Sequence, residues 1–312
     1  MRLISYRSGN QVRSARLMDG HGLDLNISGA LYKKNNLSVH FSAQEFPTQL
    51  VDWFLLGADG LKFAQEATEW VKTSSLDFGI EIKDGPVFDL NHVSLLAPIP
   101  RPGKVICIAG NYPGLGIMEK PEYPTVFLKP SGGVIGNGQA VVIPEKAINV
   151  AYEVELAVVI GKRSRNLTLE EVGSSIAGYT IANDIGDRLF EKRTSQWTTG
   201  KMFDTFTPMG PVLLTPDELD ETGNLSMFTK VNGQLLQKGS TSQMFFNTKD
   251  LVCYISTLTT LEVGDVILTG SPKLMDGNAN PIWNLSPGDL VEVEIDKIGS
   301  LINLVKPEEV VK

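Results

Sequence analysis

The stretch Val150 to Gly161, Val-Ala-Tyr-Glu-Val-Glu-Leu-Ala-Val-Val-Ile-Gly, constrains the fold of this chain more than any other. It is rich in β-branched residues and closes on a glycine, which predicts a strand. From Leu156 to Ile160 it is apolar at every position, so both faces of that strand are expected to be covered. Residues two apart on a strand share a face, which sets Glu153 beside Glu155. Glu-x-Glu pairs on strands ordinarily line a solvated face. This pair abuts a buried run, where two like charges are costly unless something positive meets them. A divalent cation does so well, because hard cations prefer carboxylate oxygens. The chain carries its own control in Glu292 and Glu294. There the polar–apolar alternation continues through Asp296, as on a half-exposed strand, so that second pair reads as surface.

Composition excludes several classes. The 312 residues hold 28 Lys and Arg against 36 Asp and Glu, a net charge of −8, with no basic run. Nucleic acid and an anionic membrane are therefore not expected partners. Two cysteines, Cys107 and Cys253, each sit in an apolar segment and read as reduced core residues of a cytoplasmic protein. The first residues lack the apolar core of a signal peptide, and no apolar stretch is long enough to cross a bilayer. The three histidines, His21, His40 and His92, all precede residue 100. Histidine is the commonest general base near neutral pH, so this placement bears on mechanism.

Residues 1–95 are expected to form a small accessory domain. Leu3–Tyr6, Val12–Leu17 and Leu23–Leu25 read as strands, and Phe46–Lys72 as two helices broken near Gly57 and Gly60. Residues 96–103, Leu-Ala-Pro-Ile-Pro-Arg-Pro-Gly, are proline-rich and read as a linker to a second domain over 104–312. Gly110–Pro124 is a long loop without periodic pattern, suited to a lid. Ser131–Gly138 is glycine-rich but lacks the residues of a phosphate loop, which excludes nucleotide binding. Thr168 with Glu171 forms a capping box before a short helix, and Asn232-Gly233 marks a hairpin turn. Lys249–Thr257 reads as a helix, with further short strands at Val266–Leu268 and Leu290–Ile295. Many short strands with few helices predict an α+β, mainly β, fold.

Among polar residues, Asp184 follows a strand and reads first as a capping residue. Arg188 lies four residues on and Glu191 three further, so the two share a helical face. Lys201, between a glycine and Met202-Phe203, is placed to be held inward, where burial suits a lysine to acid–base work. Lys129, before Pro130, has the same ambiguity.

Taken as a set, these segments resemble the fumarylacetoacetate hydrolase family. The likeness is carried, in the family's order, by Lys104-Val-Ile-Cys-Ile-Ala-Gly-Asn-Tyr112, Phe127-Leu-Lys-Pro-Ser131, Tyr152 to Gly161, Gly178-Tyr-Thr-Ile-Ala-Asn-Asp184, Gln196 to Phe206 and Gly264 to Gly270. The resemblance implies a β-rich fold around a divalent cation, magnesium first and manganese or calcium as alternatives. It implies Glu153, Glu155 and Asp184 as the metal carboxylates and Lys201 as a catalytic lysine near the substrate oxyanion. It further implies Thr269, Arg188, Glu191, Lys129 and Tyr112 as substrate contacts, Glu191 standing where glutamine is frequent. A small keto or diketo acid is the implied substrate and a homodimer the implied assembly.

One departure stands out. Hydrolytic members of the family follow Asn-Tyr with one residue and then Asp-His, and that histidine activates water together with a glutamate. Here Tyr112 is followed by Pro113-Gly114-Leu115, and leucine accepts no proton. Glu119 lies close to the expected glutamate position. Three readings follow: C–C bond hydrolysis as the family default, metal-dependent decarboxylation or keto–enol tautomerisation, and a relative that binds metal and keto acid without turning it over.

Overall fold

The computed structural model describes residues 1–36, 41, 45–74, 85–114, 118–219, 222–273 and 284–309. The chain opens with antiparallel strands β1 (Arg2–Ser8), β2 (Gln11–Met18) and β3 (His21–Asp24). Helices α1 (Leu25–Asn35), α2 (Leu50–Leu55) and α3 (Gly57–Thr73) follow, then strands β4 (Val87–Asp89) and β5 (Ser94–Leu96). The strand expected over Leu23–Leu25 is cut short. Asp24 ends β3 opposite Ala15 and its side chain accepts the amide of Ile27, so it caps α1. Both expected helices over Phe46–Lys72 are present, but Gly60 lies inside α3, and only Gly57, at φ +67°, marks the break.

Next come β6 (Val105–Ala109), β7 (Thr125–Lys129), β8 (Val134–Ile135), β9 (Val141–Ile143), β10 (Val150–Ala151) and β11 (Val154–Ile160). The capping box of Thr168 and Glu171 starts α4 (Leu169–Val172), and β12 (Ile176–Asn183), β13 (Gly186–Asp187), α5 (Arg188–Glu191), α6 (Thr198–Lys201) and β14 (Thr207–Leu214) complete the middle. The hairpin β15 (Ser226–Val231) to β16 (Gln234–Ser240) turns at Asn232-Gly233, both at positive φ as a tight primed turn requires. Helix α7 (Thr248–Leu258) and strands β17 (Val266–Leu268), β18 (Leu290–Ile295) and β19 (Gly299–Pro307) end the described chain.

Among the described residues, twelve strands form one mixed sheet with the main path β4-β3-β2-β1-β14-β12-β11-β17-β6-β7. A second sheet runs β16-β15-β18-β19-β9. The α+β, mainly β, architecture expected from the sequence is the one the chain adopts. Strand β11 sits inside the large sheet, and its alternation splits it between two cores. Leu156, Val158 and Ile160 pack with Met227, Val293 and Leu301 of the second sheet and with α7. Ala157 and Val159 pack with Leu25, Trp53 and Ala64 of the N-terminal helices. Each face of the strand thus has its own cover, which is why no position from Leu156 to Ile160 carries a polar side chain.

The N-terminal segment shares this framework. β1 pairs antiparallel with β14, so strands from residues 1–95 continue the sheet that holds β11. The proline-rich segment is packed as well. Leu96, Ala97, Pro98 and Ile99 are buried, and the Ser5 hydroxyl donates to the Pro98 carbonyl at 2.7 Å. Cys107 is buried and Cys253 half-buried, and both are free thiols.

Candidate metal centre and its cavity

The site is made where β11 and β12 part. Their antiparallel register runs to Val154 opposite Asn183, and β10 and β13 resume pairing with Ala151 opposite Gly186. The single strand expected over Val150–Gly161 is therefore interrupted at Tyr152–Glu153. Across the gap the Glu153 amide donates to Asn183 Oδ1 at 2.9 Å, and the Asp184 amide donates to the Glu153 carbonyl at 2.9 Å. Pinned in this way, Glu153, Glu155 and Asp184 bring carboxylate oxygens within 4.8 Å of one another. Asp184 caps no helix, contrary to its first reading. Asp187 does, accepting the amides of Leu189 and Phe190 through Oδ1 and those of Ile148 and Asn149 through Oδ2. Sequence reasoning missed Asp187, although an aspartate directly before Arg188 is an N-cap signal.

Three cations meet these acids. Lys129, fully buried, donates to Asp184 Oδ1 at 2.6 Å and to the carbonyls of Ile185 and Phe206 at 2.9 and 2.7 Å. Lys201 donates to Asp184 Oδ2 at 2.8 Å and to Glu153 Oε2 at 2.6 Å. Arg188 pairs with Glu153 Oε1 and places one guanidinium nitrogen at 3.2 and 2.9 Å from the two oxygens of Glu191. Burial would raise the Asp184 pKa, but the ammonium groups of Lys129 and Lys201 hold it down at about 2. Burial likewise disfavours the Lys201 ammonium, yet Asp184 and Glu153 outweigh it and shift its pKa upward.

Glu155 is different. It is 2% exposed, and among the described residues it has no basic partner within ion-pair distance. The Gly270 amide donates to its Oε2 at 2.6 Å. Burial, then the neighbouring charges of Asp184 and Glu153, push its pKa well above the usual carboxylate range. A buried, undercompensated carboxyl beside two others is the environment that a bound cation would correct. The donor set is all oxygen and hard, which suits magnesium, manganese or calcium and disfavours a thiolate-seeking metal.

The cluster forms the floor of a cavity of about 270 Å³. Ile108, Tyr112, Phe127 and Trp197 supply apolar wall, and Arg188, Glu191, Lys201 and Lys273 supply charge. Four residues singled out in the sequence beyond the carboxylates thus line it: Tyr112, Arg188, Glu191 and Lys201. The Tyr112 hydroxyl is engaged with Met227 Sδ at 3.3 Å, so the ring rather than the hydroxyl borders the space. Lys129 stands behind Asp184 and does not line the cavity. Thr269 is buried with its hydroxyl donated to the Leu156 carbonyl at 2.8 Å, and its neighbour Ser271 reaches the cavity instead. Glu119 is exposed and is not among the lining residues. Leu115, the position of the absent histidine, lies outside the described residues, as does His40. The control pair behaves as surface: Glu292 and Glu294 lie 3.9 and 3.2 Å from Lys230 on a half-exposed strand.

Fold and site together define a β-rich enzyme scaffold with an acidic cluster in a small cavity. Residues 104–306 match the family described as fumarylacetoacetate (FAA) hydrolase C-terminal, and the chain belongs to that family. Similar proteins include oxaloacetate tautomerase fahd2, mitochondrial, from Xenopus laevis, 33% identical over 310 residues, covering 98% of this chain and 90% of that one. Oxaloacetate tautomerase YisK from Bacillus subtilis is 37% identical over 272 residues, covering 85% of this chain and 89% of its own. Among solved structures, a fumarylacetoacetate hydrolase from Exiguobacterium antarcticum superposes with a TM-score of 0.76 at 28% identity, covering 99% of this chain and 100% of that chain. The family's enzymes therefore include tautomerases and hydrolases on one scaffold. Among the described residues, no helix is long and apolar enough to cross a membrane.

Proposed function

We propose that this chain is a divalent-metal-dependent keto–enol tautomerase acting on a small keto diacid of the oxaloacetate kind. The observation that carries the reading is the inventory of the cavity: three clustered carboxylates and Glu191, the ammonium groups of Lys201 and Lys273 and the guanidinium of Arg188, with no imidazole among the described lining residues. Hydrolytic members of the family use a histidine-activated water, and no described lining residue offers that imidazole. Tautomerisation requires only that a proton move and that charge on one oxygen be met. The names of the Xenopus laevis and Bacillus subtilis relatives support the same choice.

Glu153, Glu155 and Asp184 would hold the cation, with magnesium the first choice. A bound divalent ion supplies Lewis-acid polarisation of a keto oxygen. The rest falls to the chain. Lys201 and Arg188 attract the anionic substrate and place positive charge beside developing enolate oxygen. Ile108, Phe127 and Trp197 border that charge with apolar surface, which displaces part of the water around it and strengthens its interaction with the fixed cations. Lys129 keeps Asp184 ionised and oriented from behind.

The test is the decay of enol-oxaloacetate absorbance with magnesium or manganese, repeated with chelator. Acceleration over the uncatalysed rate that is lost with chelator and in Glu153→Gln supports the reading. Cleavage of acylpyruvates, or carbon dioxide release without tautomerisation, would replace it with the hydrolase or decarboxylase reading. Binding of metal and keto acid with no product would make the chain a non-catalytic relative. A homodimer is also proposed, on family resemblance alone, and sedimentation equilibrium decides it.

A further inference from the structure

Glu191 is the acid of this cavity that the metal cluster does not use. It lines the cavity, its side chain is 10% exposed, and its Oε1 lies 4.0 Å from Lys201 Nζ. Both oxygens of Glu153 are taken by Arg188 and Lys201, and both oxygens of Asp184 by Lys129 and Lys201. Glu191 meets a single guanidinium nitrogen that straddles its two oxygens, which leaves lone pairs on each.

The chain also builds a seat for this side chain. A Cβ on Gly186 would collide with Glu191 Oε1 and with the Lys201 side chain. A Cβ on Gly200 would collide with Glu191 Cγ and the Asp187 carbonyl. Two glycines on separate elements thus clear the space Glu191 fills, and Asp187 fixes the first turn of α5, which carries it. A carboxylate held this firmly at a cavity wall, ion-paired yet with free lone pairs, has the equipment of a general base.

We infer that Glu191 is the catalytic residue that moves the proton in the keto–enol reaction, an inference that rests on the tautomerase reading above. Its carboxylate takes a proton from the substrate carbon next to the keto group. The C–H pair becomes the C=C bond, and the carbonyl π pair becomes a lone pair on oxygen. The same carboxyl then gives the proton to that oxygen, which completes the enol and restores the carboxylate. The enol-to-keto direction is the reverse, and no co-reactant is consumed.

The experiment uses the full chain loaded with manganese. Glu191→Gln keeps the shape and removes the base. Its kcat for oxaloacetate tautomerisation is expected to fall about 10²- to 10⁴-fold. KM is expected to stay within about threefold, since ground-state binding is kept. Manganese affinity by calorimetry should be unchanged, because Glu191 is outside the cluster. In deuterium oxide the wild type should exchange the C3 hydrogens of oxaloacetate faster than buffer does, and the variant should not. As a second variant, Glu191→Ala should recover tautomerase activity when formate is added. A Glu191→Gln kcat within about threefold of wild type would overturn the assignment, as would a folded, manganese-binding Glu191→Ala that formate fails to rescue. Failure of the functional reading is distinct: there the wild type itself would not tautomerise oxaloacetate.

Discussion

Glu155 is the residue on which folding and metal binding oppose each other. Its carboxyl is buried, accepts the Gly270 amide and has no basic partner within reach among the described residues. Without a cation it is driven toward the neutral form by burial. Glu155→Gln retains an acceptor for Gly270 and discards the charge. In metal-free buffer the urea midpoint of this variant should equal or exceed that of wild type, because an uncompensated buried acid has been removed. Added metal should reverse the ranking. At roughly one hundred times its Kd, the cation stabilises wild type by about 2.7 kcal/mol and the variant hardly at all. A variant that still gains the full metal-induced shift would remove Glu155 from the ligand set. At this scale the sequence was informative where local periodicity sufficed. Glu153 and Glu155 stood out because a two-residue period sets them side by side against an apolar run. Asp184 became visible only through the family motif, since its partners Lys129 and Lys201 come from other parts of the chain. The orientation of Thr269, whose hydroxyl turns back to Leu156, depends on how β17 leaves the sheet beside β11, which no local pattern encodes.

Element by element, the site depends on a short helix that could not form alone. α5 spans Arg188–Glu191, far below the length at which a helix is stable in water. Asp187 compensates by collecting four amides, two from α5 and two from the segment before β10. Asp187→Ala removes all four acceptors at once from a fully buried position. It should cost about 2 kcal/mol of stability, the upper range for loss of a helix cap, read from urea unfolding. It should also lower turnover, because Arg188 and Glu191 ride on the element it caps. Wild-type stability in this variant would mean that the amides find other acceptors. The same logic explains which elements were legible. The capping box at Thr168 and the Asn232-Gly233 turn are carried by a few adjacent residues and appear where expected. α1 is hard to see because Asp24 serves both as the last residue of β3 and as the N-cap of α1, so Leu25 reads as a continuation of the strand. β14 contains Pro208 and Pro211, which argue against a central strand by local rules. It nevertheless sits between β1 and β12 in the sheet.

At the scale of the whole molecule, composition separates an N-terminal module from the rest at a proline-rich segment, while the topology joins them. Register is what decides how strongly. β1 pairs Arg2 with Leu214 and Leu3 with Leu213, and β5 pairs with β1 from the other direction along the chain. Leu25, Trp53 and Ala64 share a core with Ala157, Val159 and Leu213. Removing the N-terminal segment would therefore uncover one face of β11, the strand that leads directly from Glu153 and Glu155. Long-range pairing of this kind is invisible to a reading by local pattern, which sees prolines and a change of composition and infers a joint. The physical consequence is cooperativity. If residues 1–95 stand or fall with the metal-binding sheet, the full chain should unfold in one calorimetric transition with van't Hoff and calorimetric enthalpies in agreement. Tryptophan signals of Trp53 in the N-terminal core and Trp197 at the cavity should then change at one urea concentration, followed in single-tryptophan variants. Two separated transitions, with Trp53 changing first and metal binding intact in the intermediate, would instead make the N-terminal segment an independently folding cover.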